Sequence, residues 1–369
     1  MPFEPAPAET AFKHWFDADR YRNLAEHLAA IAPAFDHRRF LEITLTGLPE
    51  RELMDRLRQT AIGCEAALPG SYRDKVEVLR QLAPLVQHTF VGVALCDFVA
   101  RYGLDDPDFS LEALRYLTQF GSAEFAVRPF LVRDLERTLA TMTAWSLDEN
   151  EHVRRLASEG SRPRLPWGLR LTALVQDPRP TGTLLERLKD DPSLYVRKSV
   201  ANHLNDIAKD HPDQVIARVS AWDRTRPGTA WIVRHALRTL VKRGDARALA
   251  LMGATARTAV SVDVFKVSPR RLRLGGVLTL EATLTSTGRR RQTLVVDYVV
   301  HYVKANGGTS AKVFKWTRVE LPPGESVKLV KRQVVKDFSI RRLNEGEHRV
   351  ELQINGRRPK QSGFNLKRT

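Results

Sequence analysis

The 369-residue sequence predicts two architectures in succession, an α-solenoid over residues 1–257 and a β-sandwich over 258–369. Three observations carry this reading. Apolar residues recur at helical spacing through the first part. A short phrase repeats within it. Near residue 258 a period-two alternation replaces the helical pattern. With 43% apolar and 28% charged residues, the chain has the composition of a globular protein and the length for a sizeable core.

Over residues 1–115 helical spacing shows in sets such as Leu53, Met54 and Leu57, and irregular helical pairs or a helical cap are expected there. Further on, a phrase recurs. Glu149-Asn150-Glu151-His152-Val153-Arg154 runs into Arg-Leu-Ala. Asp191-Pro192-Ser193-Leu194-Tyr195-Val196-Arg197 runs into Lys-Ser-Val-Ala, and Gly228-Thr229-Ala230-Trp231-Ile232-Val233-Arg234 into His-Ala-Leu. The Val-Arg pairs lie 43 and 37 residues apart. A turn followed by an amphipathic helix at this period resembles HEAT-like helical repeats. One such pair cannot bury its apolar face alone, so pairs stack, and corresponding helices line one concave surface. Arg154, Arg197 and Arg234 then read as ion-pair partners between repeats, and Trp145, Trp222 and Trp231 as core or inter-repeat wedges.

Beyond 258, Val277–Leu284, Leu294–Val303, Lys312–Glu320, Ser326–Val335 and His348–Ile354 alternate, punctuated by Gly275-Gly276, Asn306-Gly307-Gly308, Pro322-Pro323-Gly324 and Asn344-Glu345-Gly346. About seven short strands in about 100 residues predict an immunoglobulin-like β-sandwich, here without the paired cysteines of antibody domains. This part also holds the charge. Of a net +16, residues 261–369 carry +14 (23 Lys and Arg against 9 Asp and Glu), which leaves +2 on residues 1–260. A basic module beside a near-neutral body points to a polyanion, most simply nucleic acid, with a solubility charge as the plainer alternative. The basic residues cluster near turns, and Arg289, Arg290, Arg291, Arg341 and Arg342 are candidate DNA contacts.

Cys64 and Cys96 sit among apolar neighbours and read as buried thiols of a reducing compartment. The first ten residues lack the cationic and apolar segments of a signal peptide, and the apolar run Phe90–Ala100 is too short to span a bilayer and contains Asp97. A cytoplasmic monomer, away from membranes and without a cofactor, is expected.

The stretch Glu149–Trp167 is the most informative for function. Arg155, Glu159 and Arg162 are four and seven residues apart, on one helical stripe. Gly160 stops the helix, and a proline-stiffened loop presents Arg164 and ends on Trp167. Cations, a carboxylate and a large aromatic at a helix terminus suit a site that meets phosphates, a charged base and a water. Lys198, Asn202, Asn205 and Asp206 form a second stripe on the next pair, facing the same groove. Spacing alone is also met by an Arg155–Glu159 surface pair worth about 0.3 kcal/mol, by an Asp206–Lys209 pair, and by Trp167 as core.

The runs Leu-Ala-Ser-Glu-Gly-Ser-Arg-Pro-Arg-Leu-Pro-Trp (156–167) and Ser-Val-Ala-Asn-His-Leu-Asn-Asp (199–206), set in a HEAT-like body, resemble the AlkC group of bacterial DNA alkylation-repair glycosylases, relatives of AlkD. The resemblance covers the whole chain, since some of that group also carry a C-terminal immunoglobulin-like domain. It implies a monofunctional glycosylase that excises cationic alkylated bases such as 3-methyladenine and 3-methylcytosine from double-stranded DNA, without full extrusion into a deep pocket. Glu159, Arg162, Arg164, Trp167, Asn202, Asn205 and Asp206 fall at the motif positions, and Glu124 in Phe-Gly-Ser-Ala-Glu-Phe-Ala-Val-Arg-Pro-Phe is the further acidic position. Glu159, Glu124, Asp206 and Trp167 are thus the expected catalytic set. Arg155, Arg162, Arg164, Lys198, Asn202 and Asn205 are the expected DNA contacts.

The chemistry is consistent with this. N-glycosidic cleavage passes through an oxocarbenium-like sugar. A base alkylated at a ring nitrogen is cationic and leaves neutral, so stabilising the sugar and supplying water remain, and carboxylates do both. Arginines hold phosphates, and tryptophan attracts a cationic base through its π face. The sequence has no Walker A loop, no Gly-x-Ser-x-Gly and no zinc spacing, and Leu68-Pro69-Gly70 lacks the second glycine of a helix-hairpin-helix. The competing reading is a non-catalytic scaffold that binds nucleic acid or protein. A phosphate-binding scaffold has no use for carboxylates clustered in its groove.

Overall fold

The computed structural model describes residues 12–86, 89–255, 257–338 and 342–368. Among them, sixteen α-helices from Ala18–Ile31 to Ala246–Leu251 precede eight strands. The helices begin where short polar side chains satisfy the first free N–H groups. Asp17, Asp36 and Asp134 each accept from the backbone N–H three residues on, and Ser71 with Asp74 forms a reciprocal capping box. The turns before the recurring Val-Arg pairs do the same. Asn150 caps the helix Glu151–Gly160 and Ser193 caps Leu194–Ile207, so the two open at corresponding places. None of the described helices is long and apolar enough to cross a membrane.

The chain forms two compact units. The first holds the described residues up to His211 together with Trp222–Ala236; the second holds Pro212–Ala221 and the described residues from Leu237 onward. In the first, the helix Leu194–Ile207 packs against both Glu151–Gly160 and Pro227–Ala236. Val153, Leu156, Val196, Val200, Leu204, Ile232 and Val233 are buried there. Arg154 pairs with Asp191 of the next repeat at 2.7 Å and also donates to the Asp148 and Glu149 carbonyls. Arg197 makes the same carbonyl contacts, donating to Asp191 and Pro192 ahead of its own helix. Trp145 and Trp222 are buried, and Trp231 stacks on His235 with ring centroids 4.9 Å apart.

The second unit contains the sandwich. Its strands are β1 (Val260–Ser268), β2 (Arg271–Arg273), β3 (Val277–Ser286), β4 (Gln292–Val303), β5 (Thr309–Leu321), β6 (Ser326–Val334), β7 (Gly346–Ile354) and β8 (Arg357–Lys367). One sheet has the order β1-β3-β6 and the other β2-β8-β7-β4-β5, antiparallel throughout except for β2 beside β8. The expected alternation is met in β3, where Leu278, Leu280, Ala282 and Leu284 point into the core. Val296, Tyr298 and Val300 of β4 and Val350, Leu352 and Ile354 of β7 complete it from the other sheet. β7 and β8 join through Asn355-Gly356, both with left-handed φ (45° and 82°), the geometry of a type I′ turn. The helix Arg238–Arg243 of the same unit ends on Gly244, whose backbone meets this turn.

A side chain does not fit where they meet. A Cβ on Gly356 would stand 2.2 Å from Gly244 Cα, at a φ that L residues avoid. Gly356→Ala is therefore expected to destabilise the second unit by about 2–4 kcal/mol, combining overpacking with left-handed strain. Chemical denaturation followed by circular dichroism checks this; an unshifted midpoint contradicts it.

Candidate active site

The helix Glu151–Gly160 buries Val153, Leu156, Ala157 and Gly160 against its neighbours and carries its polar stripe beside them. Gly160 closes the helix for a packing reason. A Cβ there would lie 2.5 Å from Val127 Cγ1 and 3.1 Å from Met142 Cε. The helix end thus sits tight against the body, and the side chains beside it are drawn inward.

Those side chains form one run of alternating charges. Glu159 Oε1 accepts from Arg162 Nη1 at 2.6 Å and lies 3.6 Å from Arg155 Nη2. Glu159 Oε2 accepts from Ser199 Oγ of the next repeat at 2.5 Å. Arg162 reaches on to Asp206 Oδ2, through Nε at 2.8 Å and Nη2 at 2.7 Å. Lys209 Nζ donates to Asp206 Oδ1 at 2.8 Å. In the other direction Arg155 binds Glu124 and donates to Ser122 Oγ at 2.6 Å, while Ser122 also donates to Glu124. The order is Lys209, Asp206, Arg162, Glu159, Arg155, Glu124: three cations and three carboxylates within two consecutive repeats and the loop before them. Burial works against the charge of Arg155, but Glu124 and Glu159 outweigh it and hold its pKa above the ordinary arginine value. Its guanidinium also covers the Tyr195 ring, 4.8 Å from the centroid.

The stripe expected from spacing is therefore present, and Glu159, Glu124 and Asp206 share one network. The surface-pair alternative for Glu159 does not hold, because the pair is buried and shared with Arg162. The Asp206–Lys209 pair does form, in addition to Arg162. Arg162 is placed differently from expectation. Its side chain is only 8% exposed and bonds to carboxylates, because the tight helix end turns it inward rather than toward a phosphate. Arg155 and Asn205 are likewise largely enclosed. Arg164 is accessible and forks onto Asp210 with two bonds of 2.8 Å. Lys198 is exposed and Asn202 half-buried. Trp167 is 74% exposed and has φ 63°, so it is neither core nor relaxed. In the sandwich Arg289, Arg290, Arg291 and Arg342 are exposed, and Arg341 lies outside the described residues.

Sequence reasoning missed Ser122, Ser199 and Arg128. The first two are donors to Glu124 and Glu159. Arg128 is fully buried, and its Nη1 donates to the Gly160 and Arg162 carbonyls. Among the described residues no cluster of His, Cys, Asp and Glu could hold a metal ion.

Two family profiles match the chain: "DNA alkylation repair enzyme" over residues 114–240, and the C-terminal Ig-like domain of the uncharacterised protein YhaZ over 261–368. The uncharacterized protein YhaZ of Bacillus subtilis is 40% identical over 345 residues, covering 93% of this chain and 96% of that protein. The solved structure of the Pseudomonas fluorescens alkylpurine DNA glycosylase AlkC, bound to DNA containing an abasic-site analogue, is 46% identical. It superposes with a TM-score of 0.94 over 97% of this chain and 99% of that one.

Removing Arg162 would leave two carboxylates buried without their shared partner. Arg162→Met is expected to lower stability by about 3–5 kcal/mol. Arg164→Ala, which opens a half-accessible pair, should cost less than about 1 kcal/mol. Denaturant titration of both variants checks the contrast, and equal small losses would contradict the burial argument.

Proposed function

The chain belongs to the AlkC family of DNA alkylation-repair glycosylases, and from that membership we propose that it is a monofunctional enzyme hydrolysing the N-glycosidic bond of cationic alkylated bases, 3-methyladenine and 3-methylcytosine among them. DNA is its partner, as it is for the Pseudomonas relative. In this reading residues 1–257 form the catalytic body and 258–369 a DNA-contacting module, and the protein acts as a cytoplasmic monomer.

The observation that carries the reading is the buried run of carboxylates and guanidiniums, with the exposed Trp167 five residues beyond Arg162 in the chain. A protein that only gripped phosphates would gain nothing from three carboxylates there. A glycosylase needs them. As the cationic base departs with the bonding electrons, positive charge grows on the sugar, and fixed carboxylates stabilise that charge without reorganising. A carboxylate oxygen with a spare lone pair takes the proton of the attacking water. Glu159 is central to the run, held at both oxygens by Arg162 and Ser199. We assign Glu159 the leading electrostatic role, with Asp206 and Glu124 beside it. Trp167 offers a π face to the cationic base. Arg164, Lys198 and Asn202 are assigned to the damaged strand, Arg155 and Arg162 act on it from behind, through the carboxylates they hold, and Asn205 is enclosed on the same helix as Asp206.

Glu159→Gln keeps the side-chain volume and, with its oxygen toward Arg162, a bond to Ser199 in which the amide now donates to Oγ. It should leave fold and DNA affinity intact and slow single-turnover release of base from methylated DNA by roughly two to three orders of magnitude. Release at the wild-type rate would remove Glu159 from the mechanism.

The sandwich carries most of the net charge, with Arg289, Arg290 and Arg291 exposed in one turn. Replacing all three by alanine should weaken binding to damaged and undamaged duplex alike. It should also flatten the slope of log affinity against log salt by about 0.9 for each phosphate that is no longer neutralised. An unchanged slope would mean that this turn does not face DNA.

A further inference from the structure

We propose that Arg128 is the positioning residue of this site, a buried guanidinium that clamps both ends of the loop carrying Arg162, Arg164 and Trp167 and orders it before DNA arrives. The inference rests on the glycosylase reading for its consequence and on geometry for its substance. Arg128 is fully buried, and it bonds to backbone carbonyls. Nη1 donates to Gly160 O at 2.7 Å and Arg162 O at 2.9 Å, where the loop begins. Nε donates to Leu169 O at 2.5 Å, where it ends. Two sides of one planar fork therefore fix the separation of the loop ends.

The loop itself supplies little order. Pro163 and Pro166 have no N–H to give. Its backbone bonds include Gly168 N to Leu165 O at 3.2 Å and Leu171 N to Pro163 O at 3.3 Å. Trp167 nonetheless sits at φ 63°, which an L residue adopts at a cost, and does so 74% exposed, with little packing to hold it there. A strained residue persists where its surroundings over-determine it, and the clamp at the loop ends adds to the constraint set inside the loop by the Arg162 and Arg164 ion pairs.

Sequence position adds to this. Arg128 opens the helix Arg128–Arg133, four residues after Glu124, so one short segment supplies both an acid of the charge run and the clamp. Its charge faces Arg162, Asp206, Glu159 and Glu124. Burial first, and Arg162 second, push its pKa down to about 10, which still leaves it a cation near neutrality. Among the described residues, the buried Nη2 has no hydrogen-bond partner. A lysine could keep the charge, but one ammonium cannot hold carbonyls at both ends of the loop in a plane.

The test combines amide hydrogen exchange with single-turnover base release, on full-length wild-type protein and on Arg128→Lys and Arg128→Met. In the wild type without DNA, the Gly168 and Leu171 amides should be protected. Both variants should exchange faster at those amides and release base roughly a hundredfold more slowly, the scale of a small misplacement of reacting groups. A folded Arg128→Lys protein that releases base at the wild-type rate would overturn the proposal, as would variants whose loop stays protected. Should neither variant fold, the wild type decides: free exchange at Gly168 and Leu171 until DNA binds overturns a pre-ordered loop, and protection supports it. A wild-type protein that releases no base from methylated DNA defeats the glycosylase reading, while the exchange data still judge the clamp.

Discussion

A guanidinium enclosed between two carboxylates ties the end of one helix to the end of the next, with Arg162 at 2.6 Å from Glu159 and 2.7 Å from Asp206. Taking these groups out of water is costly, and their mutual attraction offsets the cost only where geometry is good and the remaining lone pairs are satisfied. Here they are satisfied on both flanks, by Ser199 and Arg155 on Glu159 and by Lys209 on Asp206. Apolar residues of the same volume would hold these helices together at least as well. An arrangement that is expensive and replaceable for stability is better explained by the field it creates.

Much of the surrounding structure keeps that field in register. The helix Leu194–Ile207 presents Ser199 and Asp206 seven residues apart, on one face, toward Glu159 and Arg162. A slide of one helix along the other by a single residue would break both bonds, so the packing of Leu156, Val200 and Leu204 sets the electrostatics as well as the core. The Arg154–Asp191 pair fixes the same two repeats from their capped ends. Gly160 allows the approach that encloses Arg162 at all.

How much of this could be read from the sequence depended on the range of each interaction. Local periodicities were legible: the Arg155–Glu159–Arg162 stripe, the recurring turns and Val-Arg pairs, and the alternation of β3, whereas β4 is buried continuously from Val296 to Tyr302. Strands without clean alternation were not. β8, Arg-Arg-Pro-Lys-Gln-Ser-Gly-Phe-Asn-Leu-Lys, buries only Gly363, Phe364 and Leu366, near its end, and β2 is three residues long. Spacing gave the stripe but not its direction, which is why Arg162 read as a phosphate contact and not as the centre of a buried pair. Arg128 was out of reach in a deeper sense. Its partners are carbonyl oxygens 32 to 41 residues away, and every residue has a carbonyl, so nothing in the side-chain pattern marks them.

The composition of the run also bears on which bases such a site can release. Ionised carboxylates are acceptors only, and a guanidinium does not surrender its proton near neutrality. Glu124, Glu159, Asp206, Arg155 and Arg162 can therefore stabilise a growing positive charge and accept a proton from water, but as ion pairs they offer no proton to a departing base. A neutral purine or pyrimidine leaves as an anion unless it is protonated, and would find no donor among these groups. A base alkylated at a ring nitrogen brings its positive charge with it and leaves neutral. On the proposed mechanism, discrimination between damaged and normal bases then needs no deep pocket contoured to the lesion. On that proposal it follows from the charge of the lesion, since none of these five groups acts as a general acid.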